Sequence, residues 1–153
     1  MKFHSTVLFV KDISKSKEFY TKIPGFTIEH DFGKNVILSN GLTIWEILPD
    51  HIITRQLETS RVSNRFEMYF EAGNIEKIFN DLENAGVKFF HKIHEEPWGQ
   101  RTFRFFDPDG HLIEVGESLE IFVNNMKNNG LTIDQISNKS GIPVETLKKL
   151  IKK

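Results

Sequence analysis

Val10-Lys11-Asp12-Ile13, Phe19-Tyr20, Pro24-Gly25-Phe26 and Ile44-Trp45-Glu46-Ile47 return further along the chain in the same order. Their counterparts are Ala72-Gly73-Asn74-Ile75, Leu82, Ala85-Gly86-Val87 and Leu112-Ile113-Glu114-Val115. Each run reads as a strand, an amphipathic helix, a glycine turn and then further strands. A duplicated βαβββ unit of this kind predicts an α+β fold, in which two paired modules build a curved mixed sheet around a cavity. The modules span about 3–48 and 66–116, making one domain over 1–117, with a helical extension over 118–153.

Local chemistry supports these elements. Asp12 or Ser14 can cap a helix showing Ile13, Phe19, Tyr20 and Ile23, which Pro24-Gly25 stops. Asn40-Gly41 is a hairpin turn between strands near 35–39 and 42–48, following a strand near 26–31. Residues 49–64 are polar and read as a linker. Strand 66–72 and helix 74–85 follow, with Ile75, Ile78, Phe79 and Leu82 on one helical face. Strands near 87–91, 101–106 and 111–116 complete the second module, and Asp107-Pro108-Asp109-Gly110 turns the last pair.

A chain of 153 residues with net charge −1 can bury a real core and carries no general attraction for polyanions. It has no cysteine, which excludes disulfides, thiolate metal sites and cysteine nucleophiles. The apolar run Val7-Leu8-Phe9-Val10 is too short for a signal-peptide core or a membrane span, so a cytoplasmic protein is expected.

Strand alternation then predicts which side chains face the cavity. Ile113 and Val115 pack under helices and leave Glu114 opposite; Trp45 and Ile47 are expected to do the same for Glu46. Met68 and Phe70 leave Glu67, Tyr69 and Glu71 on the cavity side, while Phe103 and Phe105 leave Thr102 and Arg104 there. Glu46, Glu67 and Glu114 would converge beside Arg104. Facing carboxylates cannot all ionise comfortably, so a cation, a bound proton or Arg104 must offset them.

Val10-Lys11-Asp12 leading to Ser16 and Phe19-Tyr20, with Asp107-Pro108-Asp109-Gly110-His111-Leu112-Ile113-Glu114, resembles the vicinal oxygen chelate superfamily over residues 3 to 117. That superfamily includes glyoxalase I, fosfomycin-resistance transferases, extradiol dioxygenases and bleomycin-binding proteins. Its metal-using members take ligands from the first and last strand of each module, which carries over here to Ser5, Glu46, Glu67 and Glu114. The resemblance implies Glu46, Glu67 and Glu114 as metal ligands, Glu114 as the first choice of catalytic base and Glu67 as the second. It also implies a homodimer. Ser5 stands where metal-using relatives usually have His or Gln, and Glu67 where His or Gln is common. Three carboxylates without imidazole favour Mg²⁺, Mn²⁺ or Ca²⁺, with Ni²⁺ or Zn²⁺ as further candidates. The competing reading has no ion, with Arg104 and water neutralising the glutamates.

Glu96-Pro97-Trp98-Gly99-Gln100-Arg101 precedes a cavity strand, so Trp98 either covers a ligand or is a half-buried indole in a packed turn. His91 and His94 read as solvated loop histidines lacking a third ligand, and His111 as structural.

Leu119, Phe122, Val123 and Met126 form a helical stripe ended by Gly130. Thr132 with Gln135 makes a capping box, and Pro143 opens a final helix carrying Val144, Leu147, Leu150 and Ile151. This tail resembles a helix-turn-helix of DNA-binding proteins. From Gly130 onward Lys139, Lys148, Lys149, Lys152 and Lys153 face only Asp134 and Glu145, without arginine; that basic footprint is weak, and docking on its own domain or a second subunit is preferred. Three functions stand: a metal-dependent isomerase, epimerase or lyase acting on a small oxygenated substrate; a metal-free small-molecule binding protein with Trp98, Tyr69 and Arg104 as contacts; and, least favoured, a ligand-responsive DNA binder. Ser5 and Thr102 complete the ligand-binding candidates.

Overall fold

The structure, a computed structural model, describes residues 4–56 and 66–151. The chain divides into two compact units, Met1–Arg65 with Asp107–His111, and Phe66–Phe106 with Leu112–Lys153. The part of the predicted linker at 57–64 lies outside the described residues. Within 49–56 a short helix, α2 (Ile52–Gln56), replaces the expected irregular chain.

In the first unit, β1 (Thr6–Phe9), α1 (Ile13–Lys22), β2 (Ile28–Asp31), β3 (Asn35–Leu38) and β4 (Leu42–Trp45) form a sheet of order β1-β4-β3-β2. β1 and β4 are parallel and the other pairs antiparallel. Leu8, Val36, Leu38, Leu42 and Ile44 are buried with Ile13, Phe19 and Tyr20 of α1. The predicted hairpin turn is present: Asn40 and Gly41 both have positive φ, 63° and 76°, as a tight reversal between twisted strands requires.

Carboxylates satisfy the start of α1. Asp12 accepts hydrogen bonds from the Ser14 and Lys15 amides, Glu46 from the Ile13 amide (2.9 Å) and Asp109 from the Lys11 amide (3.0 Å). The Ile13, Ser14 and Lys15 amides are orphan donors of a helix terminus, where the dipole also favours negative charge, and the Lys11 amide lies just before the cap. The Asp107–His111 turn is tied in through a buried centre. Asp107 accepts from the Tyr20 hydroxyl (2.7 Å), the His111 amide (2.7 Å), His111 Nδ1 (2.8 Å) and the Asp109 amide (3.0 Å). Burial opposes ionisation of Asp107, but the hydrogen bonds from His111 and Tyr20 outweigh it and hold the carboxyl below its usual range. Burial and the Asp107 charge push the Tyr20 hydroxyl far up, so it remains a donor.

The second unit repeats the plan with β5 (Met68–Ala72), α3 (Ile75–Asn84), β6 (Phe89–Glu95), β7 (Arg101–Phe106) and β8 (Leu112–Glu117), ordered β5-β8-β7-β6. Phe79 of α3 packs tilted against Phe89 and edge-on against Phe103, with ring centroids 4.6 and 5.3 Å away. Three helices follow, α4 (Leu119–Asn128), α5 (Ile133–Ser140) and α6 (Val144–Leu150), around Phe122, Val123, Met126, Ile136 and Leu147. The Thr132–Gln135 capping box opens α5 as the sequence predicts, and a left-handed Gly141 (φ 74°) ends it. The helices dock on their own unit: Asn125 Nδ2 donates to Glu117 Oε1 (3.0 Å) and Lys139 pairs with Glu95 (2.6 Å). The α+β architecture of two βαβββ sheets with C-terminal helices is therefore as expected.

The internal register of the repeat is not. Trp45 and Ile47 were expected to pack under the helix with Glu46 opposite. Instead Leu42 and Ile44 are in the core, and Glu46 points at the start of α1. Thr43 is flanked by Val7 and Ile37, as Glu114 is by Tyr69 and Arg104. Thr43 is thus the counterpart of Glu114, and Glu46 is the counterpart of Glu117. The ion pairs agree: Lys34 holds Glu46 and Arg101 holds Glu117, both at very short range. The apolar-Glu-apolar pattern misleads because the turns differ in length. Leu38 pairs with Leu42 across the first, whereas Phe105 pairs with Ile113 across the second.

Candidate functional site

The face of the second sheet away from α3 carries the charge. Register places Tyr69 (β5), Glu114 (β8), Arg104 (β7) and His91 (β6) in one cross-strand row, and Glu71, Gly116, Thr102 and His94 in the next. Alternation separates these from Phe103, Phe105, Ile113 and Val115, all buried on the helix side.

Arg104 is the centre of the row. Its Nε donates to Glu67 Oε2 (2.9 Å), and Nη1 donates to Glu96 Oε1 (3.0 Å) and His91 Nε2 (3.2 Å). Nη2 makes a very short contact with Glu114. A guanidinium presents a planar fork, and all three of its nitrogens are engaged. His91 Nδ1 lies 2.8 Å from the Lys92 carbonyl, which can only accept. That assigns the ring proton to Nδ1 and leaves Nε2 free to accept from Arg104. Glu96 also accepts from Thr102 Oγ1 (2.9 Å) and contacts His94 Nε2 (3.1 Å).

Three carboxylates share one guanidinium, and their environments push them apart. Burial, with the charges of Glu67 and Glu96 against the opposing pull of Arg104, pushes the Glu114 carboxyl up to about 7. Hydrogen bonding from Arg104 holds Glu67 below its usual value. Burial would raise Glu96, but His94, Arg104 and Thr102 outweigh it and bring it to about 2. Because the folded state holds the Glu114 proton more tightly than the unfolded chain, this group makes stability decline as pH rises from 4.5 through about 7. Glu114→Gln keeps the shape and removes the titration. Its melting temperature should stay flat across that window where the wild type falls, as thermal unfolding at half-unit pH steps would read. Parallel curves for the two proteins would contradict this account of Glu114.

Beside the row, Trp98 Nε1 donates to Gln100 Oε1 (3.0 Å), and Gln100 Nε2 donates to Tyr69 Oη (2.9 Å) and to the Glu117 carbonyl (2.7 Å). Gly116 makes room for this bridge. A Cβ there would lie 2.8 Å from Gln100 Nε2 and 3.1 Å from the Tyr69 ring, whereas the first unit has Trp45 at the equivalent place.

This α+β frame, with a charged row on one sheet, can be compared with known proteins. The family profile described as Glyoxalase-like domain matches residues 3–120. The chain belongs to the glyoxalase-like domain family. Among this domain's relatives, the uncharacterized protein YraH of Bacillus subtilis is 30% identical over 129 residues, covering 78% of this chain and 100% of YraH. A bleomycin resistance protein of Geobacillus stearothermophilus is 25% identical, covering 72% of this chain and 92% of the relative. The crystal structure of a protein of unknown function from Agrobacterium tumefaciens superposes with a TM-score of 0.68 at 39% identity, covering 78% of this chain and 95% of that one.

In this glyoxalase-like domain the structure brings Glu67, Tyr69, Trp98, Thr102, Arg104 and Glu114 together on one face of the second unit. Thr102 is completely buried, while Tyr69 and Trp98 remain 48% and 38% exposed. Ser5 and Glu46 belong to the first unit. Ser5 Oγ accepts from Thr43 Oγ1 (3.0 Å), and Glu46 is spent on Lys34 and the Ile13 amide. Hydrogen bonding from Lys34 and from that amide holds the Glu46 carboxyl below its usual range. His91 and His94 are not loop residues as expected; both lie on β6, with rings 4.4 Å apart. Glu96 was missed as a site residue because Pro97 makes it read as turn. The signal was its even spacing from His94, on the same strand face as Thr102 and Arg104 of the next strand.

Proposed function

We propose that this glyoxalase-like domain binds and holds a small molecule bearing an amine or other hydrogen-bond donors and an apolar body, with no resident metal ion. One observation carries the reading: Arg104 already stands among Glu67, Glu96 and Glu114, where a cation would have to sit. The donor set fits a divalent ion poorly in other respects. Among the described residues no three His, Asp or Glu side chains are grouped to hold an ion. The cluster keeps excess negative charge, and the exposed rings of Tyr69 and Trp98 beside it suit an apolar or aromatic group. Relatives named bleomycin resistance protein agree with a sequestering role. Among the described residues no helix is long and apolar enough to cross a membrane.

Glu114 supports a second reading, an isomerase or lyase. A carboxyl pushed up to about 7 can give and take a proton near neutral pH.

Metal-free bleomycin titrated into chelator-treated protein, followed by tryptophan emission, tests the first reading. Saturable binding in excess chelator, weakened roughly tenfold by Glu67→Gln as expected for loss of one close charge, is the predicted result. Binding that appears only after Mg²⁺, Mn²⁺, Ni²⁺ or Zn²⁺ is restored, and is lost in Glu114→Gln, would instead support a metal-dependent enzyme.

A further inference from the structure

The turn that carries Glu96, Trp98 and Gln100 does not stand alone. It closes through Glu96 N–H to Gln100 O and Gly99 N–H to Glu96 O, both 2.8 Å. Gly99 has φ +98°, a region L side chains avoid. More telling is what lies beneath it. A Cβ on Gly99 would come within 2.7 Å of Met126 Sδ on α4 and 3.3 Å of Lys139 Cε on α5. The C-terminal helices therefore press directly on the backbone of the turn.

Two polar ties flank that contact. Lys139 Nζ reaches Glu95 just before the turn (2.6 Å). Just after it, Glu117 Oε2 accepts from the Arg101 amide (3.3 Å) while its Oε1 holds Asn125 of α4 (3.0 Å). From the braced turn the side chains run to the site. Glu96 meets Arg104, His94 and Thr102, while Gln100 joins Trp98 to Tyr69.

We propose that the C-terminal helices are a positioning element of the binding face, with Met126 and Lys139 bracing the Glu96–Gln100 turn so that Trp98 and Gln100 are held ready for the ligand. The inference rests on the reading of that face as a binding surface. Its physical basis is pre-organisation: a loop fixed before the ligand arrives loses less freedom on binding. Met126 and Lys139 need not touch the ligand, which makes them positioning residues.

The test uses the full chain in a Trp45→Phe background, where Trp98 is the sole tryptophan. Acrylamide quenching of Trp98 is read without ligand, and metal-free bleomycin affinity is read separately. Met126→Ala should raise the quenching constant roughly twofold and weaken affinity roughly 5- to 10-fold. Lys139→Ala, a half-exposed change that leaves the helical core intact, should move both in the same direction by less. Leu82→Ala on α3, a buried control, should lower the melting temperature and leave both readouts at the parent value. The proposal is overturned if Met126→Ala and Lys139→Ala leave Trp98 quenching unchanged, or if Leu82→Ala changes it as much. Should the parent protein fail to bind the probe, the binding reading falls, and the quenching comparison still decides the brace.

Discussion

Arg104→Met should destabilise the protein by about 3–5 kcal/mol, the cost of removing one partner from a largely buried ion pair. At 2–4 °C per kcal/mol for a chain of this size, the melting temperature should fall by roughly 6–20 °C. The side chain is 18% exposed, and its partners Glu96 and Glu114 are 11% and 7% exposed. Methionine fills similar volume, so the loss comes from uncompensated charge rather than from an empty space. In the wild type, Glu67 and Glu96 are held below 4.5, so they contribute stability that is present above that pH and lost as pH falls, for Glu96 toward about 2. Without the guanidinium this contribution disappears and all three carboxyls take up protons more readily. The difference between variant and wild type should therefore be greatest at pH 8 and shrink steadily below pH 4. Urea unfolding at both ends of that range would read it.

Asp107→Ala should cost a similar amount, about 3–5 kcal/mol, by a different route. The carboxylate satisfies four donors, and Tyr20 and Asp107 are 0% and 5% exposed. Its loss strands the Tyr20 hydroxyl, the His111 ring nitrogen and two backbone amides, groups that cost about 1–3 kcal/mol apiece when fully unpaired and less where water enters the vacated space. Asp107→Asn keeps the shape but turns one acceptor into a donor facing other donors, and should fall between alanine and wild type. Since hydrogen bonds hold Asp107 below 3.8, its contribution is present above that pH and fades as pH falls further. A circular-dichroism melt of both variants at pH 7 gives the ordering. A smaller loss for alanine than for asparagine would contradict the buried centre described here.

Much of the fold can be read from the sequence because its signals are local. Asp12 and Asn74 cap the two module helices, Asn40-Gly41 reverses a hairpin, and Thr132 with Gln135 opens a tail helix. Each needs only neighbours a few residues away. The second-unit face is legible too: Phe103 and Phe105 alternate with Thr102 and Arg104, and Ile113 and Val115 with Glu114. What misled was a comparison across the repeat. Glu46 and Glu114 both sit between apolar residues, but their hairpins differ in length, and only strand pairing shows that Thr43 matches Glu114. Even spacing from His94 puts Glu96 on the charged side, but its role depends on Arg104 reaching it from the next strand. The brace under Gly99 likewise joins residues 27 and 40 positions apart in sequence (126 − 99 and 139 − 99), so the glycine reads only as a turn.

In the proposed function Arg104 takes the place of a cation among Glu67, Glu96 and Glu114. Thermal melting of chelator-stripped wild type and Arg104→Met, each titrated with Mg²⁺, Mn²⁺, Ca²⁺, Ni²⁺ and Zn²⁺, tests it most directly. An ion that binds only the folded state stabilises it by about 2.7 kcal/mol at a hundredfold excess over its dissociation constant, and so raises the melting temperature. No shift is expected in wild type and a clear rise in Arg104→Met, where the ion would replace the missing guanidinium between the carboxylates. A rise in wild type that Glu114→Gln abolishes would contradict it and place a metal ion at this face.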